Sequence, residues 1–154
     1  MLTKIKAVQP RRNSGAKFAI VASEYNAEFV DSMLKAAKAE LKRAGAKVQV
    51  VRVPGAYEIP IVAAALARTE KISAIICLGV ILRGQTVHAQ HIGDSVSRAL
   101  MQIQLKTEVP VIHEVLLLEN KEQARVRCQD KKHNRGMEAA QTALQMADVM
   151  AQLR

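Results

Sequence analysis

Residues 74–88 read AIICLGVILRGQTVH, and this stretch decides the fold. Its first half is a continuous apolar run, which is typical of a strand buried in a sheet, and its last residue, His88, opens a helical pattern. Between the two lie glycines, an arginine and a hydroxyl group. Such a junction is costly inside a core, but backbone N–H groups at the start of a helix suit an anionic ligand. The stretch therefore predicts a strand–helix unit with a binding site at the joint.

Strands and helices alternate on both sides of this unit. This alternation is typical of a parallel sheet covered by helices on both faces. The predicted class is α/β, a three-layer αβα, flavodoxin-like fold of about four parallel strands. Strands are predicted at Lys17–Ala22, Val48–Val53, Ala74–Val80 and Val111–Leu118. The first helix is predicted from Asn26, whose side chain is a favoured N-cap, to Gly45. The other helices are predicted from near Glu58 to Arg68 and at His88–Lys106, Asn120–Arg127 and Met137–Leu153.

The chain of 154 residues is predicted to form one domain preceded by an arm. Residues 1–16 lack a clear periodicity and form the arm, and residues 17–154 form the single domain. Within the arm, residues 4–9 alternate weakly and can add an edge strand to a small sheet, whose edges need cover. Because that edge can belong to a neighbouring subunit, the arm favours an oligomer.

The net charge of +9 makes nucleic acid the first partner to consider. The basic residues are dispersed, however, and aromatic residues make up only 3% of the chain, so platforms for stacking bases are nearly absent. A solvated basic surface that attracts small anionic substrates is favoured over a nucleic-acid interface.

The sequence also lacks the signs of a membrane or secreted protein. No apolar run approaches the roughly 20 residues of a membrane span. The basic start is not followed by the apolar segment of a signal peptide. Cys77 and Cys128 are too few for a disulfide framework and are expected to be reduced thiols. These observations predict a cytoplasmic protein without membrane contacts.

Three predicted strand-to-helix junctions carry polar and aromatic residues. They are residues 23–26 (SEYN), 54–60 (PGAYEIP) and 79–88, and they contain both tyrosines of the chain. The junctions of a parallel sheet share one edge, and this edge is where ligands bind in open α/β sheets. Each feature alone has a structural explanation as a helix cap, a tight turn or a surface charge. Together on one edge they favour a functional site.

The side chains and backbone at these junctions indicate the kind of ligand. A planar ring, its polar edges and an anionic group are each matched by residues of suitable chemistry. Histidine side chains in general have a pKa near 6.5, so the residue type of His88 suits proton transfer at neutral pH. No metal is predicted, because His88 and His91 lack a third ligand nearby. The expected contacts are Tyr25 for the ring face, the backbone at Ala56–Glu58 and Val80–Leu82 for the ring edges, and Gln85 and Thr86 for the anion.

The motifs SEYN at 23–26, VPGAYEIP at 53–60 and GVILRGQTVH at 79–88 resemble the lumazine synthase family, enzymes of the penultimate step of riboflavin synthesis. The resemblance continues at residues 108–112, 122–127 and 134–140. It implies condensation of 5-amino-6-(D-ribitylamino)uracil with 3,4-dihydroxy-2-butanone 4-phosphate. The products would be 6,7-dimethyl-8-ribityllumazine, phosphate and water, and no cofactor or metal is implied.

The resemblance also implies a role for each matching residue. His88 would move protons during imine formation and phosphate loss. The uracil and its ribityl chain would be bound by Tyr25, Asn26, Ala56, Tyr57, Glu58, Val80, Ile81, Leu82 and His113. The phosphate would be bound by Gln85, Thr86 and Arg127, with Arg135 as a further candidate.

His113 is predicted near the start of the fourth strand, roughly 16 Å from the loop edge of its own subunit. It therefore cannot serve its own site, and the resemblance places it, with Arg127, in the site of a neighbouring subunit. Shared active sites predict a homo-oligomer and an inactive isolated subunit. The resemblance implies that this oligomer is a pentamer and leaves a 60-subunit shell open. Riboflavin synthase is a candidate partner.

Three residues depart from the pattern of the family. His113 replaces an aromatic residue that is often Phe, Glu114 replaces Gly, and Arg135 replaces Lys. Residues 128–134 lack the usual glycines but are not lengthened. The departures leave open a catalytically weak relative that acts as a scaffold, and the charge leaves open a nucleic-acid binder.

Overall fold

The structure, a computed structural model, describes residues 15–69 and 71–154. The predicted edge strand at residues 4–9 and the rest of the arm up to residue 14 lie outside the described residues. No helix in the described ranges has the length and apolar character needed to cross a membrane. The strands are β1 (Lys17–Ser23), β2 (Lys47–Val53), β3 (Ala74–Leu82) and β4 (Val111–Leu118), and the helices are α1 (Ala27–Arg43), α2 (Ile59–Thr69), α3 (His88–Thr107), α4 (Lys121–Cys128) and α5 (Arg135–Leu153).

The strands form one parallel sheet in the order β2-β1-β3-β4. Ser23 is in register with Val53, and Leu82 is in register with Leu118, so neighbouring strands end together in pairs. The predicted α/β, flavodoxin-like class is confirmed. All strand-to-helix junctions consequently lie at one edge of the sheet, which we call the carboxyl edge.

The sheet is buried on both faces, which explains its continuous apolar strands. Ile76 and Leu78 of β3 face a core formed with α1, α4 and α5. Their neighbours Ile75 and Cys77 face a second core formed with α2 and α3. Cys77 and Cys128 are both free and buried.

Several predicted boundaries differ from the structure by one or two residues, and three of these differences have a clear local reason. β3 continues to Leu82, two residues beyond the predicted end, because its register with β4 continues to Leu118. α5 begins at Arg135 rather than Met137, because Asn134 Oδ1 accepts a hydrogen bond of 2.7 Å from the N–H of Gly136 and caps the helix. A 3₁₀ turn at Ala56–Glu58 precedes α2, which therefore starts at Ile59.

The prediction that the side chain of Asn26 caps α1 is wrong. Asn26 occupies the N-cap position, but its backbone is left-handed, with φ of 59°, and its side chain makes no capping hydrogen bond. Asn tolerates this conformation better than most residues. Its side chain is instead directed across the sheet edge towards β3.

Candidate active site

Hydrogen bonds join the three polar junctions at the carboxyl edge. The N–H of Tyr25 donates to the Pro54 carbonyl at 3.0 Å, which links the first junction to the second. Asn26 Nδ2 donates to the Val80 carbonyl at 2.7 Å, which links the first junction to the third. The three junctions, which the strand order predicts to lie at one edge, are thus connected by hydrogen bonds. The side chain of Asn26 therefore fixes the position of the β3 backbone at the site, and it occupies one of the two lone pairs of the Val80 carbonyl oxygen.

An open cleft of about 550 Å³ lies between the second junction and the start of α3. It brings together the predicted residues Tyr57, Glu58 and His88. Tyr57 is 66% exposed and Tyr25 is 74% exposed, so both aromatic rings are accessible to a ligand. The full lining is Gly55, Tyr57, Glu58, His88, His91, Ile92 and Ser95.

Four of the lining residues were not predicted as site residues: Gly55 and three residues of α3. His91, Ile92 and Ser95 follow His88 by three, four and seven positions in α3. Residues at these spacings share one face of a helix. Once His88 was placed at the first position of a helix, this spacing was a sufficient signal to find them.

The loop before α3 is held by its own polar groups. Thr86 Oγ1 accepts a hydrogen bond of 3.3 Å from the N–H of His88. Arg83 Nε donates to Glu119 Oε1 at 2.9 Å, and its Nη2 donates to Gln90 Oε1 at 3.0 Å. Arg83 therefore anchors the loop to α3 and to the end of β4. Gln85 and Thr86 remain exposed at the turn, where their backbone and hydroxyl groups can meet an anion.

The two predicted cationic residues differ in their contacts. Arg127, near the end of α4, is exposed and makes no hydrogen bond or ion pair with the rest of the described chain. Arg135, by contrast, is paired with Glu138 at 3.1 Å and its side chain is only 20% exposed. Arg127 is consequently the cation available to a ligand, while Arg135 is held within the α5 surface.

His113 lies outside the cleft of its own chain. It is in register with Cys77 of β3, five residues before the end of β4. Its Nδ1 accepts a hydrogen bond of 3.1 Å from the N–H of Val115, and its Nε2 lies 2.7 Å from Ser97 Oγ. Although part of the ring reaches the surface, its partial desolvation lowers the pKa of His113 below its ordinary value. An uncharged imidazole is therefore favoured at this position.

Glu114 points to the opposite face of the sheet, towards α5. Burial raises the pKa of Glu114 to about 7; nearby Arg135 lowers it, and nearby Glu138 raises it. The burial effect is the largest of the three, so the carboxyl group is partly protonated near neutral pH. The departure from glycine at this position introduces a titrating group beside the start of α5.

The fold and the cleft define a class of protein. The protein is a three-layer α/β protein with an accessible histidine and exposed aromatic rings at the carboxyl edge of its parallel sheet. This is the usual place for the active site of an enzyme that acts on small molecules.

Comparison with known proteins gives the particular family. A model described as 6,7-dimethyl-8-ribityllumazine synthase matches residues 15–151. A relative with that name from Stenotrophomonas maltophilia is 40% identical over 146 residues, which are 93% of this chain and 94% of the relative. Another from Desulfotalea psychrophila is 42% identical over 143 residues, covering 91% and 92% of the two chains. The chain belongs to the 6,7-dimethyl-8-ribityllumazine synthase family, as the sequence motifs predict.

Proposed function

We propose that this protein makes 6,7-dimethyl-8-ribityllumazine at active sites built from two neighbouring subunits. As a member of its family it is a transferase of riboflavin biosynthesis, and it condenses 5-amino-6-(D-ribitylamino)uracil with 3,4-dihydroxy-2-butanone 4-phosphate. The main support for a shared site is the separation of the His88 cleft from His113 within one chain.

Helix α3 presents different residues to the two places. His88, His91 and Ser95 line the cleft, whereas Ser97 contacts His113 on β4. Ser95 and Ser97 are two positions apart, which is about 200° around a helix. The cleft side and the β4 side of α3 are therefore nearly opposite each other.

Two different binding surfaces on opposite sides of one element favour a ring. When the first surface of each subunit meets the second surface of the next, the contact is heterologous, and such contacts form a ring where the rotation between subunits closes on itself. Met101 and Leu105 of α3 are 54% and 70% exposed, an apolar character that fits burial between subunits. We take the ring to be the pentamer implied by the resemblance.

Within such a site, the cleft subunit would bind the uracil substrate. Tyr25 and Tyr57 would contact the planar ring, and the backbone at Ala56–Glu58 and Val80–Leu82 would bind its polar edges. The exposed turn at Gln85 and Thr86 would hold the phosphate together with Arg127 of the neighbouring subunit. The positive charge of the arginine and its planar set of donors suit phosphate oxygens.

His88 would transfer protons during the condensation. The substrate amine attacks the ketone carbonyl, and water must leave before an imine forms. Loss of phosphate and ring closure follow and also require protons to move. The exposed imidazole of His88 can both accept and donate these protons. A cytoplasmic location and a partnership with riboflavin synthase stay predictions from the sequence.

The first test measures the reaction itself. The purified full chain is incubated with both substrates, and formation of the lumazine is followed by its absorbance. Turnover supports the assignment, and absence of turnover with fresh substrates would favour the scaffold alternative. His88→Ala should lower kcat by about 10²- to 10⁴-fold, the usual contribution of a general acid–base group. The exposure of His88 predicts an unchanged assembly mass.

A mixing experiment tests whether the sites are shared. His88→Ala and Arg127→Ala subunits are co-expressed, and the mixed assemblies are assayed at low substrate concentration. A ring with heterologous contacts pairs the intact His88 of one variant with the intact Arg127 of the other at about a quarter of the interfaces. Recovery of activity near that fraction supports shared sites. Activity no higher than the mean of the two pure variants would show that each subunit forms its own site.

A further inference from the structure

We propose that Ser97 is a positioning residue that, together with the backbone N–H of Val115, holds His113 as a neutral, flat ring facing the uracil in the neighbouring site. The inference rests on the proposed shared site. It assigns a role to Ser97 and explains how histidine can replace the usual aromatic residue.

The hydrogen bonds at His113 determine which nitrogen carries the proton. The N–H of Val115 can only donate, so Nδ1, at 3.1 Å, must be an unprotonated acceptor. In a neutral imidazole the proton then lies on Nε2, which donates to Ser97 Oγ at 2.7 Å. Both ring nitrogens are thereby occupied by contacts within the subunit. Only the face and the C–H edges of the ring remain for a ligand.

The surroundings of His113 offer little support for a charged ring. The buried thiol of Cys77 is opposite on β3, and its pKa is raised to about 12, so it stays neutral. Glu114 on β4 points to the other face of the sheet, towards α5. On α3, Asp94 accepts from Gln90, and helix geometry places both Asp94 and Arg98 on the side away from the core.

Protonation would break this arrangement. A proton on Nδ1 would face the N–H of Val115, so the charged ring cannot keep both contacts. Desolvation already disfavours the charged form. In its held state the ring offers the same flat, uncharged surface as a phenyl group, and it is this surface that the uracil would meet. Ser97 is needed because a ring without it is free to turn towards solvent and gain a proton.

The first test reads the state of His113 without using activity. Hydrogen–deuterium exchange at histidine, measured by mass spectrometry on the intact assembly, follows the titration of each of the four histidines separately. In the wild type, His113 should titrate below the ordinary range. Ser97→Ala should move the pKa of His113 up towards the ordinary value. Ser32→Ala should not, because this half-buried serine lies on α1 and its hydroxyl donates to the Glu28 carbonyl. A titration of His113 that Ser97→Ala leaves unchanged or lowers overturns the proposal.

The second test asks whether the held ring serves the substrate. Ser97→Ala should raise KM for the uracil substrate by about 5-fold, the effect of one ordinary hydrogen bond, with little change in kcat and a larger effect at acid pH. His113→Phe should raise KM much less than His113→Ala does, and adding Ser97→Ala to His113→Phe should have no further effect on KM. The proposal is overturned if His113→Phe raises KM for the uracil substrate as much as His113→Ala does. It is also overturned if Ser97→Ala shifts the titration of His113 without any change in this KM. Absence of turnover in the wild type would contradict the proposed function but not the role of Ser97. The exchange experiment still tests the hydrogen bond between Ser97 and His113 in that case.

Discussion

Asn26 Nδ2 donates a hydrogen bond of 2.7 Å to the Val80 carbonyl, and this contact ties the start of α1 to the end of β3 across 54 positions of sequence. Because α1 follows β1, the bond also fixes the distance between the Tyr25 junction and the third junction. The left-handed backbone of Asn26, with φ of 59°, directs the side chain to this carbonyl. One residue thus combines a rare backbone conformation with the link that holds the site together.

Two substitutions separate these contributions. Asn26→Gly keeps the left-handed backbone but loses the bond, and it should lower the free energy of unfolding by about 1 kcal/mol. Asn26→Ala should lower it by about 1 kcal/mol more, because alanine is strained at positive φ. Both should raise KM for the uracil substrate. Urea unfolding and steady-state kinetics check these values. Equal stability of the two variants would show that alanine is not strained at position 26.

Arg127 and Arg125 offer a matched pair on α4. Arg127 is exposed and unpaired within the described chain, whereas Arg125 is bound to Glu122 at 3.4 Å. Arg127→Ala should raise KM for the phosphate substrate by about 10- to 100-fold, since a charge-assisted hydrogen bond to phosphate is lost. Arg125→Ala removes the same charge two positions away and should change KM little. Similar effects of both variants would indicate only a general electrostatic attraction.

The strands and helices were predictable because their signal is local. The apolar run at Ala74–Val80 and the helical spacing after His88 each occupy a short stretch, and the structure places β3 and α3 there. The parallel class then followed from the alternation of elements. The same local signal was sufficient for His91 and Ser95, whose spacing from His88 places them on its face of α3.

Contacts between distant segments could not be predicted in this way. Asn26 has the composition of a helix cap, and only the approach of β3 gives its side chain a better partner. Ser97 carries no signal in its own neighbourhood, because its partner His113 lies 16 positions later on β4. The predicted roles of His113 and Arg127 depend on a second subunit, so they stay predictions that the mixing experiment tests.

Gly136 is required by the close packing of α5 against α1. A Cβ atom at this position would overlap the backbone oxygen of Met33, and a backbone atom cannot move aside as a side chain can. Gly136→Ala should therefore lower the free energy of unfolding by about 3 kcal/mol or more, as an overpacked core position does. The expected result is a large drop in Tm or loss of soluble protein.

Gly93 on α3 is the control for this substitution. A Cβ atom there would meet only Leu117, at an ordinary contact distance of 3.6 Å. Gly93→Ala should leave stability unchanged or raise it by up to about 1 kcal/mol, because alanine favours a helix over glycine. Thermal unfolding of both variants checks the contrast. A Gly136→Ala protein as stable as the wild type would show that α1 and α5 can move apart without lowering the free energy of unfolding.

Glu114 makes the stability of the subunit depend on pH in a defined direction. Its pKa is raised from an ordinary value of about 4.5 to about 7, mainly by burial, so the folded chain keeps a proton that the unfolded chain has released. Between these two values the free energy of unfolding falls as pH rises. Below about pH 4.5 both states are protonated and Glu114 has no effect, and above about pH 7 its full penalty is present.

Glu114→Gln should remove this slope, because an amide of similar shape carries no charge at any pH. The variant should match the wild type near pH 4.5 and be more stable near pH 8, by up to about 3 kcal/mol for a shift of this size. Urea unfolding at several pH values measures the difference, and Glu122→Gln, with a carboxyl group that is 75% exposed on α4, is the control. Parallel stability curves for Glu114→Gln and the wild type would show that the pKa of Glu114 is the same in the folded and the unfolded chain. In that case the attraction of Arg135 would balance the effect of burial.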